Sequence, residues 1–176
     1  TLVDATLIHS SEPKRKKDST GKTISNKAND EDASYTSKRG RKHHGYKIHI
    51  ATDTNSIIKE IITTTAKTHD STQFDELIKD ETKAVFADSG YMSQNRKREL
   101  RAKGIFNGIT ERRVRGQSKL RVKQSKNNTK FSKVRALVEL PFAFIKKLMK
   151  YTETKYLGLH KNSRHVFLIA AAYNLR

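Results

Sequence analysis

Three carboxylates have unusual surroundings in this sequence, because each lies in a segment that is otherwise apolar. Asp4 lies inside the β-rich run 2–8, Asp88 directly follows the apolar segment 84–87, and Glu139 lies in an apolar stretch with helical spacing. Burying a lone carboxylate is unfavourable unless a cation compensates its charge. The compensating cation is either a basic side chain of the protein or a divalent metal ion.

Phosphodiester cleavage is a reaction that such a set of carboxylates can support. It needs an activated oxygen nucleophile and neutralised charge on the phosphate, and two Mg²⁺ or Mn²⁺ ions about 3.5–4 Å apart supply both. Carboxylate oxygens are the protein ligands that Mg²⁺ prefers. Because two strands and one helix can bring three carboxylates together, Asp4, Asp88 and Glu139 are candidate ligands for such a pair of ions.

The segment around Glu139 also allows a purely structural interpretation. Arg135, Glu139 and Lys146 are spaced by four and seven residues, which places them on one face of a regular helix. An acid between two cations on one helical face is typical of a surface salt-bridge ladder. Pro141 cannot donate a backbone hydrogen bond to Leu137, which predicts a kink just past Glu139.

Positive charge is the strongest bulk feature of the chain. Lys and Arg number 37 against 18 Asp and Glu, a net charge of +19. Such a surplus favours binding to nucleic acid through counterion release, and a ribosomal or chromatin-like role would also fit it. Residues 112–135 contain no acid and are predicted to form a loop that becomes ordered on phosphates. Its candidate phosphate-binding residues are Arg112, Arg113, Arg115, Lys119, Arg121 and Arg135.

Hydrophobic patterning predicts an α/β fold. Residues 10–44 are polar and are predicted to form a long loop. The order of the remaining elements predicts a mixed five-stranded sheet flanked by helices, with the basic segment inserted before the helix that carries Glu139. The predicted strands are 2–8, 46–52, 57–66, 84–87 and 105–109, and the predicted helices are 72–82, 93–103, 132–151 and 162–175.

Several other classes of protein are disfavoured. The chain has no Cys and therefore no disulfide framework, and no apolar run approaches the length of a membrane span. No glycine-rich phosphate loop is present, so nucleotide hydrolysis is not indicated. Zinc binding by His43, His44, His49 and His69 is disfavoured because no Cys is available and two of them lie in a basic polar segment.

Six short segments carry a resemblance to a known family. They are Val3-Asp4-Ala5-Thr6, Gly45-Tyr46-Lys47-Ile48-His49, Thr68-His69-Asp70-Ser71, Ala87-Asp88-Ser89-Gly90-Tyr91, Val138-Glu139-Leu140-Pro141-Phe142 with Ile145-Lys146, and Ala171-Ala172-Tyr173-Asn174-Leu175. In this order they resemble the motifs of bacterial insertion-sequence DDE transposases, and they cover nearly the whole chain.

The resemblance implies a ribonuclease-H-like fold and an enzyme that cuts element ends and joins them to target DNA. Asp4, Asp88 and Glu139 match the three metal-binding acids of the family, which implies Mg²⁺ or Mn²⁺, with two ions, as cofactor. Related elements carry a Tyr, Arg, Glu, Lys signature whose Arg and Lys are associated with the DNA end and the active site, which implies a DNA-binding role for Arg135 and Lys146. Arg135, Glu139 and Lys146 have its spacing, whereas Ser132 stands at the Tyr position.

We therefore expect residues 1–176 to be the catalytic domain of a longer protein whose upstream DNA-binding region is missing. The expected partner is double-stranded DNA, with self-association of the protein in the DNA complex, no membrane contact, and a cytoplasmic, nucleoid-associated location in a bacterium. Two alternatives stay open: a ribonuclease-H-like nuclease without strand transfer, and a DNA-binding derivative without catalysis.

Neutralising several basic residues of the 112–135 segment should weaken DNA binding by similar factors for all sequences, because phosphate contacts carry no base information. Replacing Arg112, Arg113 and Lys119 by Gln should also flatten the salt dependence, by about 0.9 in the logarithmic slope for each lost contact. Mobility-shift titrations at several salt concentrations measure both effects. An unchanged slope would place this segment away from the DNA.

Overall fold

The computed structural model describes residues 1–12, 16–17, 19–21, 23–24, 30–38, 40–79, 82–113 and 115–176. Its strands are β1 (Leu2–His9), β2 (Lys16–Lys17), β3 (Thr23–Ile24), β4 (Ser34–Lys38), β5 (Arg41–Thr52), β6 (Ile58–Thr65), β7 (Ala84–Val85) and β8 (Phe106–Asn107). Its α-helices are α1 (Phe74–Leu77), α2 (Gln94–Ala102), α3 (Val122–Arg135), α4 (Glu139–Ala143) and α5 (Leu159–Asn174). None of the helices in these ranges is long and apolar enough to span a bilayer.

The long strand β5 organises the main sheet. It pairs antiparallel with β1 along one edge, from Leu2 opposite Thr52 to His9 opposite Gly45. On its other edge it pairs antiparallel with β6 and, nearer its start, with β4. The predicted hairpin of residues 46–52 and 57–66 is confirmed, with Asp53 forming the turn by accepting hydrogen bonds from the amides of Asn55 and Ile57, each at 2.9 Å.

The predicted single five-stranded sheet is only partly present. β7 and β8 form a separate parallel pair, which a single parallel bridge between Leu2 and Phe86 joins to β1. Two hydrogen bonds of 2.9 Å make this connection, from the amide of Val3 to the carbonyl of Phe86 and from the amide of Phe86 to the carbonyl of Thr1. The strands predicted over 84–87 and 105–109 are shorter in the structure, although parallel hydrogen bonds continue past β7 and β8, from the amides of Gly108 and Thr110 to the carbonyls of Val85 and Ala87.

Helices cover both faces of the sheet, and two hydrophobic clusters fill the space between them. Val3 and Ala51 point to the face covered by α1 and α2, where they join Phe74 and Leu77. The alternate positions of the strands face α5 and the segment before it: Ile8, Ile48 and Ile50 pack with Ile145, Tyr151, Val166, Ile169 and Tyr173. Strand alternation places Asp4 on the same face as Ile8.

The prediction that residues 10–44 form one long loop was wrong. β4 and the first residues of β5 make a hairpin with Ser34 opposite Gly45 and Lys38 opposite Arg41, and β2 pairs with β3. The side chains of this hairpin are mostly polar and exposed at its tip, so hydrophobic alternation could not reveal it. Backbone hydrogen bonds join β4 to the first half of β5. Because the second half of β5 lies in the buried sheet, these bonds hold the hairpin in place beyond the core.

The prediction of a basic loop over 112–135 was wrong in its second half, which forms α3. No residue of α3 is buried, so the helix has no apolar periodicity to detect. Contacts to the rest of the domain anchor it: Asn128 accepts from the amide of Glu111 at 2.9 Å and donates to its carbonyl at 2.7 Å, and the ring of Phe131 packs edge-on against Phe86 and Phe106. Lys, Gln and Arg are good helix formers, and this propensity is sufficient for α3 to form once Asn128 is anchored.

The remaining predicted helices differ mainly in length. The helix predicted over 72–82 is one 3₁₀ turn, Asp70–Gln73, followed by the single turn α1, whose Phe74 and Leu77 already complete its buried face. The predicted helix 93–103 is confirmed as α2, with Ser93 as its N-cap and Gly104 after it at φ +68°. The last helix begins at Leu159, three residues before the predicted start.

The long helix predicted over 132–151 is interrupted. α3 ends at Arg135, a 3₁₀ turn spans Ala136–Val138, α4 follows, and a π-helical turn spans Phe144–Leu148. The predicted kink near Pro141 is thus a change of helix type that begins one turn earlier. The carbonyl that Pro141 leaves free belongs to Leu137, which lies within the 3₁₀ turn.

Gly45→Ala should destabilise the fold by about 2 kcal/mol or more. A Cβ at Gly45 would overlap the carbonyl oxygen of Ile8 and lie 2.7 Å from the amide nitrogen of Ser10, and φ is +148°. Gly104→Ala is the matched control, since it also has positive φ but nothing within 4 Å of the added Cβ. Urea unfolding measures both, and equal losses would contradict the proposed clash.

Candidate active site

Asp4 is held in place by one backbone and one side-chain hydrogen bond. Its Oδ1 accepts from the amide of Ala5 at 2.8 Å, and its Oδ2 accepts from Nη1 of Arg135 at 3.0 Å. Burial raises the pKa of Asp4 above the usual value, the Ala5 amide and the Arg135 guanidinium lower it, and the charges of Asp88 and Asp70 raise it further. Two other carboxylates therefore lie close enough to act on Asp4.

Parallel pairing explains why Asp88 is near Asp4. Leu2 and Phe86 are the bridge partners, and each acid lies two residues beyond its own bridge residue in the same direction. Side chains two apart share a strand face, so both carboxylates leave the sheet at the same place. Asp88 is exposed and caps a 3₁₀ turn by accepting from the amide of Ser89 at 2.7 Å.

Glu139 does not join Asp4 and Asp88 in a metal-binding cluster. It is the exposed first residue of α4, one turn after Arg135. Within the described part of the chain, no group of three or more His, Asp or Glu side chains is arranged to hold a metal ion. The donor set still suits a hard cation, because Asp4 and Asp88 offer carboxylate oxygens and one guanidinium faces several negative charges. Two of the three candidate ligands are thus adjacent.

Of the two signature cations, Arg135 contacts Asp4 and Lys146 lies farther along the helical segment. Lys146 is half-buried, and burial, followed by the nearby charge of Lys38, lowers its pKa. Lys38 lies near the tip of the hairpin that sequence reasoning missed. The hairpin therefore adds a cation near Lys146 that no sequence motif indicated.

The candidate phosphate-binding residues before α3 lie on the surface. Arg112, Arg113 and Arg115 line an open pocket of about 380 Å³ together with Lys97 and residues at the start of α2. Arg113 donates to the carbonyl of Ser118 at 2.9 Å, which helps to shape the turn. Lys119 and Arg121 are also exposed.

A second polar cluster on the opposite sheet face was missed as a unit. Lys47 forms an ion pair with Asp70 at 2.9 Å and donates to the carbonyl of Thr68 at 2.6 Å. A pocket of about 260 Å³ beside β1 is lined by Lys47, Asp70, Lys38 and neighbouring residues. Since Asp70 acts on Asp4, this ion pair limits the negative charge that Asp4 experiences. Lys47 and Asp70 each lie in one of the six segments that carry the family resemblance, but only the fold shows that the two side chains pair.

Other residues singled out in the sequence have structural roles. His49 is fully buried, and its Nε2 lies 2.8 Å from Oγ1 of Thr64. His69 caps the 3₁₀ turn that follows it, and Tyr91 packs in the core. Asn174 acts as a backbone substitute, bonding both the amide and the carbonyl of Ile58.

Comparison with known proteins identifies one domain family. A family model described as a transposase DDE domain matches residues 1–175. No solved structure matches the chain.

The stability of the protein should fall as the pH drops from about 6.5 to 4 because of His49. Burial lowers its pKa from 6.5 to about 4, opposed by the charge of Asp70 and aided by Lys47. The folded state thus favours the neutral ring. The resulting stabilisation is complete above pH 6.5, is lost through this window as the unfolded state binds protons first, and amounts to roughly 3 kcal/mol.

Denaturant unfolding at a series of pH values measures this effect. His49→Gln should remove much of the slope between pH 6.5 and 4, whereas His160→Gln, at an exposed position on α5, should leave the slope unchanged. A His49→Gln slope equal to that of the wild type would show that His49 does not titrate in this way.

Proposed function

Because the chain belongs to the transposase DDE domain family, we propose that it cuts DNA at the ends of a mobile element and joins those ends to target DNA. The observation that carries this proposal is the parallel bridge between Leu2 and Phe86, which sets Asp4 and Asp88 side by side. A ribonuclease-H-like arrangement, with β7 and β8 extending the sheet beyond β1, is part of the proposal.

Members of the family generally use divalent metal ions. Asp4 and Asp88 would hold Mg²⁺ or Mn²⁺, with Glu139 as the third ligand, and two ions fit the reaction. Bound metal would neutralise the phosphate and activate a water or 3′ hydroxyl. The protein's own contribution is positional: β1 and the segment after β7 present two carboxylates on the same face of the sheet.

Arg135 and Lys146 would compensate the negative charge of carboxylates and phosphates at this site. Arg135 stabilises the ionised form of Asp4, which a cation ligand must adopt. Its planar guanidinium is also suited to a phosphate, so it can serve the DNA end once a metal ion compensates Asp4. Burial, and then the nearby charge of Lys38, lower the pKa of the half-buried Lys146, and a phosphate beside it would favour its charged form.

Phosphate contacts away from the catalytic centre would come from the exposed basic residues before α3. The proposed partner is double-stranded DNA, both element ends and target, with self-association of the protein in that complex. We propose that residues 1–176 serve as the catalytic domain and that recognition of the terminal repeats lies elsewhere in the protein. The basic residues that would make the phosphate contacts are Arg112, Arg113, Arg115, Lys119 and Arg121.

A DNA-binding derivative without catalysis is the second candidate. It is favoured by the absence of a three-ligand cluster among the described residues and by the ion pair that occupies Asp4. A ribonuclease-H-like nuclease that cuts without joining has the same acids. Strand transfer of a pre-cut element end, assayed beside cleavage, separates all three functions.

Asp88→Asn, Asp4→Asn and Glu139→Gln should each reduce cleavage of a labelled element end by on the order of a thousandfold or more, because each removes a charged metal ligand. DNA binding should persist or tighten, since a negative charge near the phosphates is lost. Cleavage with Mg²⁺ or Mn²⁺ and binding by mobility shift measure the two effects. Glu99→Gln, at an exposed position on α2, is the matched control.

Thermal melting without metal distinguishes a structural role. If the acids serve only structural roles, each variant should melt at a lower temperature and retain metal-dependent cleavage. Retained cleavage in one stably folded variant removes that residue from the site, and retained cleavage in all three rules out the proposed function.

A further inference from the structure

Pro141 leaves a backbone acceptor without its helical partner, and a distant serine provides a donor. Pro141 has no N–H to bond the carbonyl of Leu137. That carbonyl accepts a hydrogen bond of 3.0 Å from Oγ of Ser56, which lies 81 residues earlier in the chain. Ser56 is only 3% exposed, so the bond is shielded from water.

The turn between β5 and β6 is shaped to present this hydroxyl. Ser56 has φ +63°, a left-handed conformation that is unfavourable for a residue with a Cβ. Its amide donates to the carbonyl of Asp53 at 3.1 Å, and the carboxylate of Asp53 fixes the amides on either side. A residue held in this conformation at a buried contact points to a specific positional role.

The bond lies at the place where the helix changes type. Leu137 is the middle residue of the 3₁₀ turn Ala136–Val138 that separates α3 from α4. A 3₁₀ residue turns by about 120° and an α-helical residue by about 100°. Three 3₁₀ residues therefore rotate the following helix by about 60° relative to a continuous α-helix.

This rotation separates two residues that a regular helix would pair. In an uninterrupted helix Arg135 and Glu139 would be neighbours at i and i+4, where an Arg and a Glu form an ion pair. Instead, Arg135 contacts Asp4, and Glu139 forms no ion pair with any other described residue. The salt-bridge ladder that the sequence allowed is thus absent at this step.

We propose that Ser56 is a positioning residue for Glu139: its hydroxyl stabilises the helical break at Leu137, which keeps Glu139 out of reach of Arg135 and available to bind metal. The inference rests on the proposed function, because it concerns the third acid of the same site. Ser56 itself does not touch the reacting groups.

A double-mutant cycle of Ser56→Gly and Pro141→Ala tests the inference. Gly removes the hydroxyl while tolerating the positive φ of position 56. Ala restores an N–H at position 141 that can bond Leu137 within a regular helix. Asn55→Ala, in the same turn but at an exposed side chain, is the matched control.

Ser56→Gly should lower the affinity for Mn²⁺ and the kcat of cleavage by about tenfold or more, with KM for DNA unchanged. In the double variant the melting temperature should return to that of Pro141→Ala alone, because the carbonyl is bonded again, whereas Mn²⁺ affinity should stay low. Wild-type Mn²⁺ affinity and kcat in Ser56→Gly, or recovery of metal binding together with melting in the double variant, would overturn the proposal.

Helix geometry provides a readout that does not depend on activity. The chain has no Cys, so spin labels can be introduced at Lys126 and Lys147, on either side of the break, without background. Straightening three 3₁₀ residues shortens the segment by about 1.5 Å and changes its direction. The double variant should show a shifted label distance, and an unchanged distribution would overturn the role of Ser56. If the wild type neither binds Mn²⁺ nor cleaves, the proposed function fails, and the label distances still decide whether Ser56 holds the break.

Discussion

The half-buried carboxylate of Asp4 is the constraint on which the arrangement around the sheet depends. A charge in the middle of a central strand is tolerated only with hydrogen bonds and an opposite charge. The Ala5 amide and the Arg135 guanidinium provide both. The ion pair joins β1 to the end of α3, and it thereby fixes where the helical segment with Glu139 crosses the sheet. Asp88 and Asp70 also act on Asp4, and the guanidinium of Arg135 and the Lys47 ammonium paired with Asp70 offset part of this negative charge.

A backbone carbonyl of the helical segment also needs a hydrogen-bond donor at the same crossing. Pro141 ends regular hydrogen bonding near Glu139, and the freed carbonyl of Leu137 accepts a hydrogen bond from Ser56, which is distant in the sequence. An unbonded buried carbonyl would cost about 1–3 kcal/mol, which is a large share of the stability of a domain of this size. The β5–β6 turn, the helical break and the Arg135–Asp4 ion pair therefore support one another, and each constrains the direction of Glu139.

The elements that carry the basic surface contribute few buried side chains to the core. α3 has no buried residue and is anchored by Asn128 at Glu111. The hairpin of β4 and β5 likewise extends beyond the core and brings Lys38 near Lys146. Cations placed on elements that do not need them for folding are available to phosphates, and a net charge of +19 provides the long-range attraction.

The sequence by itself determined the α/β class, the strands of the buried sheet, the cap of α2 and the three candidate acids, because hydrophobic periodicity and isolated acids in apolar segments are local signals. It could not reveal α3 or the β4–β5 hairpin, whose side chains are polar and whose order comes from distant hydrogen bonds. Only the tertiary structure decided that Arg135 pairs with Asp4 and not with Glu139, and that His49 is buried. These outcomes depend on contacts between residues far apart in the chain: Ser56 donates to a helical carbonyl 81 residues later, and no local pattern contains that information.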